Sequence, residues 1–213
     1  MKKLNKILKA GTVLLLTGLL VNGCTTLGFK KKAVENSLRP IEEIKLDNGL
    51  VILFIPESSL PRISFHLSVG MGSQTDPIGA EGIANLTVDA LESGTSHRSA
   101  SKLAEDLEYL GSELSLHTGL DQSSIAVHGM SVYEEDLLGI FSDVILNPAF
   151  QESEILKKKK EIIAQIEKQK DNPDIVIDQL FRQELFQGTR WSSPVLGYKT
   201  TLDKIARTEV IKT

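Results

Sequence analysis

The feature that most constrains the fold is a strand pattern confined to the first part of the chain. Over residues 62–70, apolar and polar residues alternate, which puts four apolar side chains on one face: Ile63, Phe65, Leu67 and Val69. A strand of this kind is half buried, and its apolar face needs a cover. Beyond about residue 130 the apolar spacing becomes helical, and amphipathic helices can supply that cover.

Turn and cap residues indicate where the other elements lie. Asp47-Asn48-Gly49 separates two β-type runs, which is the strongest short-range sign of a hairpin. The residues from Ala84 to Leu91 predict a helix, and a second helix is expected to begin at Ser99 and stop at Gly111. Two further strands are predicted on either side of residues 119–121.

The second half of the chain is predicted to be mostly helical. Over residues 132–145, four apolar residues are expected on one side of a helix: Leu137, Leu138, Phe141 and Ile145. A long amphipathic helix follows and ends near Asn172, and the next begins with Pro173 in its first turn. Strands first and helices after predict an α+β domain, with a mixed, largely antiparallel sheet and helices packed on one face.

The first 23 residues are predicted to be a signal peptide and not part of the folded domain. They contain four lysines and no acidic residue, and the apolar run over residues 10–21 is short for a membrane span. The only cysteine, Cys24, follows directly, and a lone thiol has no disulfide partner outside the cytoplasm. A small residue before such a cysteine resembles a bacterial lipoprotein signal. We therefore expect Cys24 to be lipidated and to become the mature N-terminus.

The rest of the chain divides into a tether and one domain. Residues 24–40 lack periodicity and are predicted to be a linker, and residues 41–213 are predicted to be the folded domain. Without residues 1–23 the chain keeps 20 basic residues against 28 acidic ones, a net charge of −8. This acidic balance argues against nucleic acid as a partner.

Several segments together resemble the pitrilysin/insulinase family of metallopeptidases, the inverzincins. The resemblance covers about residues 41–213 and implies the half-domain fold of that family. The segments that carry it are, in chain order, LDNGLVILFIPES, SFHLSVGMGSQTDPIGAEGIANL, LEYLGSELSLHTGLDQSSIAVHG, the long helix pair around Asp171-Asn172-Pro173, and PVLGYKTTLDKIARTEV.

The family's zinc chemistry needs an H-x-x-E-H motif on a helix and a further glutamate from a later helix. The resemblance places the first histidine at Asn85, the general base at Val88 and the second histidine at Asp89. It places the later glutamate at Gln165. All four positions are substituted, and a single carboxylate is not a zinc site. We therefore predict no catalytic residue, no bound metal and no cofactor, although active family members hold zinc.

The alternative to this prediction is a metal site formed by residues outside the motif. The four histidines, His66, His97, His117 and His128, are scattered, and none has i,i+4 spacing to another. Glu92 lies one turn beyond Val88, outside the motif, where an exposed helix charge is the simpler interpretation. An active zinc metalloendopeptidase with non-standard ligands remains the alternative function.

The resemblance also implies a peptide-binding edge strand. In the family this strand receives the substrate as an added β-strand, and the matching residues here are Ser115, Leu116, His117, Thr118 and Gly119. Backbone pairing gives such an edge affinity without a metal. The alternative is that the strand is simply paired or covered.

These expectations combine into one functional hypothesis. The chain is predicted to be a lipid-anchored, catalytically inactive peptidase homologue that binds peptide or pairs with an active, zinc-bearing subunit or second family domain. The membrane is contacted through the anchor. The expected location is the bacterial cell envelope, and Thr25 after Cys24 favours the outer membrane. The chain stops soon after a helix start at residues 208–210, so it is expected to be truncated. Beside the inactive homologue and the active metalloendopeptidase, a third hypothesis is a decayed or truncated gene product with no present role.

Overall fold

The computed structural model of the protein describes residues 41–213. These residues belong to two compact units that divide between Glu57 and Ser58. The predicted signal peptide, Cys24 and the tether lie outside the described residues. Among the helices over residues 41–213, none has the length and apolar character that a membrane crossing needs.

The first unit contributes an antiparallel hairpin of β1 (Glu42–Lys45) and β2 (Val51–Phe54). Its loop is closed by a hydrogen bond of 2.9 Å from the Leu46 N–H to the Leu50 carbonyl, and Gly49 has a φ of 87°. Glycine adopts this left-handed conformation without a steric penalty. The predicted hairpin is thus confirmed, with a three-residue loop in place of the two-residue turn that Asn-Gly favours.

The second unit is built on a three-stranded antiparallel sheet in the order β3-β5-β4. Its strands are β3 (Arg62–Val69), β4 (Glu113–Thr118) and β5 (Ser123–Met130). Val127 in the central strand lies opposite both Phe65 and Leu114, so apolar side chains from three strands form one continuous surface. Because β5 is central, β3 and β4 are the edges of this sheet.

One face of the sheet carries the core, as the alternation predicts. Ile63, Phe65 and Leu67 pack against the buried cluster, whereas Ser64 and His66 between them are exposed. The Phe65 ring stacks on that of Phe141, with centroids 6.0 Å apart. This one-sided cover confirms the predicted fold class, an α+β domain with helices packed on one face.

Seven α-helices occur in the described residues. They are α1 (Ile83–Asp89), α2 (Ala100–Tyr109), α3 (Glu134–Leu146), α4 (Glu152–Gln169), α5 (Pro173–Leu185), α6 (Lys199–Leu202) and α7 (Arg207–Val210). Ser99 caps α2 as predicted, since its Oγ accepts from the Lys102 N–H at 3.2 Å. The helix expected at 84–91 ends earlier, at Asp89, and continues as a 3-10 turn over Ala90–Ser93.

The buried side of α3 differs from the predicted one. Leu137, Ile140 and Val144 are buried, whereas Leu138 is 45% exposed. The prediction that Leu138 faces the core was wrong, because consecutive residues on a helix lie about 100° apart and only one of Leu137 and Leu138 can point inward. The actual stripe follows the i, i+3, i+7 spacing and packs against β3 and β5.

A buried carboxylate on α3 ties down the loop that follows α1. Asp143 is 8% exposed and accepts hydrogen bonds from Thr95 Oγ1 at 2.7 Å, from His97 Nδ1 at 2.7 Å and from Asn147 Nδ2 at 3.1 Å. Arg98 also donates to Asp143 through Nη1. These four donors leave the carboxylate well satisfied. The exit of α1 is therefore fixed to α3 by one side chain.

The pKa of Asp143 is about 2, below its ordinary value of 3.8. Burial on its own raises this pKa, but the hydrogen bonds from Thr95, His97, Asn147 and Arg98 outweigh it. Because the native pKa lies below the unfolded one, the unfolded chain takes up a proton first as the pH falls. The stabilisation that ionised Asp143 gives the folded state is therefore complete above about pH 4 and is lost as the pH falls toward 2.

Replacing Asp143 by asparagine should lower the free energy of unfolding at pH 7 by about 1–2 kcal/mol, after allowance for solvent screening. The amide keeps the shape but removes the charge that the surrounding donors stabilise. The difference from the wild type should shrink as the pH is lowered from 4. Urea denaturation at pH 7, 5, 4 and 3 measures both effects.

The matched control is Glu135→Gln, an acid of the same helix that lies in its exposed first turn. This change should cost only a few tenths of a kcal/mol, through the helix dipole. If Asp143→Asn lowers the free energy of unfolding by no more than Glu135→Gln does, or if its effect is undiminished at pH 3, the stabilising role of the Asp143 charge is contradicted.

Candidate functional site

The start of α1 is set by a glycine and an aspartate. Gly82 has a φ of 96°, and a Cβ built on it would lie 2.5 Å from the Leu196 carbonyl oxygen, so only glycine fits. The carboxylate of Asp76 accepts from the N–H groups of Gly82 at 2.7 Å and Ala84 at 3.0 Å. These bonds satisfy two N–H groups at the helix start and fix the position of α1.

Asn85 and Asp89, the two predicted histidine positions, lie on one side of α1. The Asn85 amide donates from Nδ2 to Asp89 Oδ2 at 3.0 Å, as i,i+4 neighbours on a helix can. Burial raises the pKa of Asp89, although the Asn85 hydrogen bond and the charge of Lys158 oppose this shift. An amide and one partly buried carboxylate thus occupy the positions of the two imidazoles.

Val88, the predicted general-base position, is 2% exposed. Its side chain has no group that accepts or donates a proton. Thr87 and Ala90 beside it are also buried. The residue at the general-base position therefore cannot take a proton from a water molecule.

Gln165 on α4 is exposed and lies with Asp89 on one cavity of about 490 Å³. Two of the four predicted motif positions thus line the cavity, and a third, Asn85, is hydrogen-bonded to Asp89. Neutral amides are poor zinc ligands, and zinc sites in proteins use histidine, cysteine and carboxylate donors. The residues at these positions do not fit a zinc ion.

The predicted edge strand forms another wall of the same cavity. Ser115 and Leu116 line it, and β4 pairs on one side only, with β5, among the strands of residues 41–213. His117 is exposed, whereas Thr118 is buried and its Oγ1 accepts from Ser123 Oγ at 3.4 Å. The open edge therefore runs beside the pocket.

Gly119, the last residue of the predicted edge, lies beyond the end of β4. Its N–H donates to the Gln122 carbonyl at 2.8 Å, and its carbonyl accepts from the Ser73 N–H at 3.0 Å. Both backbone groups are already paired, so Gly119 does not extend the open edge.

Sequence reasoning missed the side chain that crosses this pocket, Lys158. Its ammonium lies 2.5 Å from Glu92 Oε1 and 2.8 Å from Glu161 Oε2, and the lysine side chain is only 18% exposed. Lys158 belongs to the run Lys157–Lys160 on α4, in which Lys159 is also buried and donates to the Ile205 carbonyl. The run itself does not reveal which lysine lines the cavity. Glu92 is exposed, as the sequence predicts, and it also takes part in this contact.

The four histidines lie apart and do not form a second metal site. His97 bonds Asp143, and the other three lie on β3, β4 and β5. Within residues 41–213, no group of three or more histidine, cysteine, aspartate or glutamate residues is arranged to hold a metal ion. Cys24, the predicted lipidation site, lies outside this range.

The fold and the pocket define a peptidase-like half-domain. A family model described as "Insulinase (Peptidase family M16)" matches residues 52–199, more than half of the chain. The protein belongs to the insulinase family, as its sequence segments predict. At the positions that the resemblance assigns to the H-x-x-E-H motif, the chain carries Asn85, Val88 and Asp89.

Similar proteins agree with this membership. The chain is 29% identical over 168 residues to an "Uncharacterized zinc protease" of Rickettsia bellii, covering 79% of this chain and 41% of that one. It is 24% identical over 186 residues to "Mitochondrial-processing peptidase subunit beta" of Lentinula edodes, covering 86% and 40%. The chain thus spans about two fifths of the length of these relatives.

A solved structure has the same fold. The "peptidase M16 inactive domain from Pseudomonas fluorescens" superposes with a TM-score of 0.77 at 22% identity, covering 81% of this chain and 42% of that one. At this identity the likeness concerns the fold alone.

Restoring three ligands should create a zinc site. The combined change Asn85→His, Asp89→His and Gln165→Glu is expected to bind one zinc ion per chain, because two imidazoles and a carboxylate make a three-ligand zinc site. With Val88 unchanged, we expect no peptide hydrolysis, since the general base is still missing. Elemental analysis and calorimetry measure the binding.

The matched control carries the two histidines and keeps Gln165. It should bind zinc roughly tenfold or more weakly, because one ligand is lost. Equal affinity of the two variants, or no zinc in either, would mean that α1 and α4 do not present these positions to one ion.

Proposed function

We propose that this protein is a non-catalytic insulinase-family domain that binds an extended peptide at the edge of β4. The observation that carries the proposal is the cavity that joins the open edge of β4 to the substituted metal positions Asp89 and Gln165. This arrangement supports peptide binding beside positions that carry no zinc-ligand set.

Loss of hydrolysis follows from the substituted residues. A general base contributes about 10²–10⁴-fold to rate, and Val88 cannot act as one. A zinc ion polarises the scissile carbonyl and lowers the pKa of its bound water, but the amides of Asn85 and Gln165 do not hold zinc. With both contributions removed, peptide bound in the cavity should stay intact.

Peptide binding at β4 uses groups that the strand already presents. An edge strand offers a row of backbone N–H and C=O groups that an added strand can pair with. The cavity beside it carries four carboxylates, of Asp89, Glu92, Glu113 and Glu161, against the single ammonium of Lys158. This excess of negative charge favours a peptide with basic side chains.

A fluorescent decapeptide of alternating lysine and valine should bind the domain and remain uncleaved, with or without added zinc. The same peptide, N-methylated at alternate backbone nitrogens, should bind at least about tenfold more weakly, because it loses the amide donors for strand pairing. Fluorescence anisotropy measures binding, and mass spectrometry tests for cleavage.

A variant pair locates the peptide on the sheet. Ser115→Trp should weaken binding by filling the cavity beside β4, whereas Ser64→Trp, an exposed serine on the opposite edge strand, should not. Equal binding of the methylated peptide would exclude strand addition. Zinc-dependent cleavage would favour the alternative, a metalloendopeptidase with non-standard ligands.

We further propose a second insulinase-family domain as the protein partner. None of the residues of α5 is buried, and four apolar side chains on it are 56–65% exposed: Ile177, Leu180, Phe181 and Leu185. Their spacing puts them along one side of the helix, as a packing surface requires. The relatives above are more than twice as long as the matched part, and one is named as a subunit. These facts support a second domain of the same family as the partner, and we propose that this domain carries the intact H-x-x-E-H motif.

The proposed location is the bacterial cell envelope, with the domain held by lipid on Cys24. Support comes from the sequence: a basic, apolar leader ends directly before that cysteine. An anchored binding domain and an active partner would then work at the same membrane surface.

Purification of the full chain from bacterial envelopes should recover a protein acylated at Cys24, together with a motif-bearing homologue identified by mass spectrometry. Phe181→Glu should reduce this recovery because it places a charge in the apolar side of α5. Tyr109→Glu is the matched control, since Tyr109 is an exposed aromatic residue on α2. An unmodified Cys24 would refute the anchor, and equal recovery with both variants would refute the surface.

A further inference from the structure

We infer that the ammonium of Lys158 is the resident cation of the former metal pocket, where it holds the 3-10 turn after α1 against α4. Glu92 is on the turn Ala90–Ser93, and Glu161 is one helical turn beyond Lys158 on α4. The ammonium contacts both carboxylates, at 2.5 and 2.8 Å. One of these contacts joins two elements 66 residues apart in sequence.

The charges around the pocket favour such a cation. Four carboxylates line the cavity, and Lys158 is the only cation among its lining residues. Without it, Asp89, Glu92 and Glu161 would repel one another, and their repulsion would push α1 and α4 apart. The Asn85 amide offsets part of the charge of Asp89 only.

A lysine differs from a metal ion in what it can do there. The ammonium supplies positive charge and three hydrogen-bond donors, but it has no coordination position for a water molecule or a carbonyl. The pocket therefore keeps its electrostatic support without a Lewis acid. Burial lowers the pKa of Lys158, but the bonds to Glu161 and Glu92 outweigh this and raise it, so the lysine stays charged.

The test compares variants of α4 by thermal unfolding of the whole protein. Lys158→Met keeps the aliphatic stem and removes the charge, and should lower the Tm by about 2–5 °C. Lys158→Arg should retain most of the Tm. Lys160→Met is the matched control, an exposed lysine of the same helix, and should change the Tm by less than about 1 °C.

Added salt provides a second readout. Raising NaCl from about 50 mM to about 1 M should narrow the Tm difference between Lys158→Met and the wild type, because screening weakens the repulsion among the carboxylates. The small Tm difference between Lys160→Met and the wild type should not change with salt.

If Lys158→Met folds too poorly to measure, the same change is made in a Glu92→Gln, Glu161→Gln background. There it should cost less than about 1 °C, because the repelling charges are gone. An equal loss in both backgrounds, a wild-type Tm in Lys158→Met, or a Tm difference that does not narrow at high salt would overturn the inference. None of these readouts involves peptide, so they fail or succeed independently of the proposed function.

Discussion

The candidate site depends on the burial of α1 between the sheet and α4. This helix has only seven residues, and a helix of that length is not stable alone. Six of the seven are buried, and the helix packs against β4, α4 and α7. Tertiary packing therefore maintains the element that presents Asn85 and Asp89, and any change in its neighbours moves the pocket.

Both ends of α1 are fixed by carboxylates that belong to other elements. Asp76 bonds the first N–H groups of the helix, and Asp143 of α3 holds the loop beyond its exit. Neither residue belongs to the family's metal motif. The contacts that fix the position of α1 are thus independent of the side chains at the predicted motif positions.

Much of this arrangement could be predicted from the sequence, because it rests on periodicity and on turn chemistry. Alternation identified the core face of β3, Asn-Gly identified the hairpin, and Ser99 identified the start of α2. The i,i+4 relation of Asn85 and Asp89 followed from helix geometry alone. These signals depend only on residues that are close together in the sequence, so they can be recognised in one sequence without a structure.

The missed features depend on distant contacts. Nothing in the lysine run of α4 marks Lys158 as the residue that meets Glu92, since that contact depends on how α4 crosses the turn after α1. For Asp143 the sequence gives only a weak indication of burial, because this acid lies within an apolar stretch of α3 next to Val144, which is buried in the structure. Leu138 was misassigned because two adjacent leucines fit a helical stripe equally well until the packing of β5 selects one.

The burial of Val88 limits what a glutamate could do at this position. A glutamate placed there would lose its hydration without a partner, which costs several kcal/mol. Ligands for a metal would have to be in place before this cost could be offset. Any redesign of the pocket as a zinc site therefore has to introduce the ligands first and the general base last, because the enclosed position accepts a carboxylate only when a cation faces it.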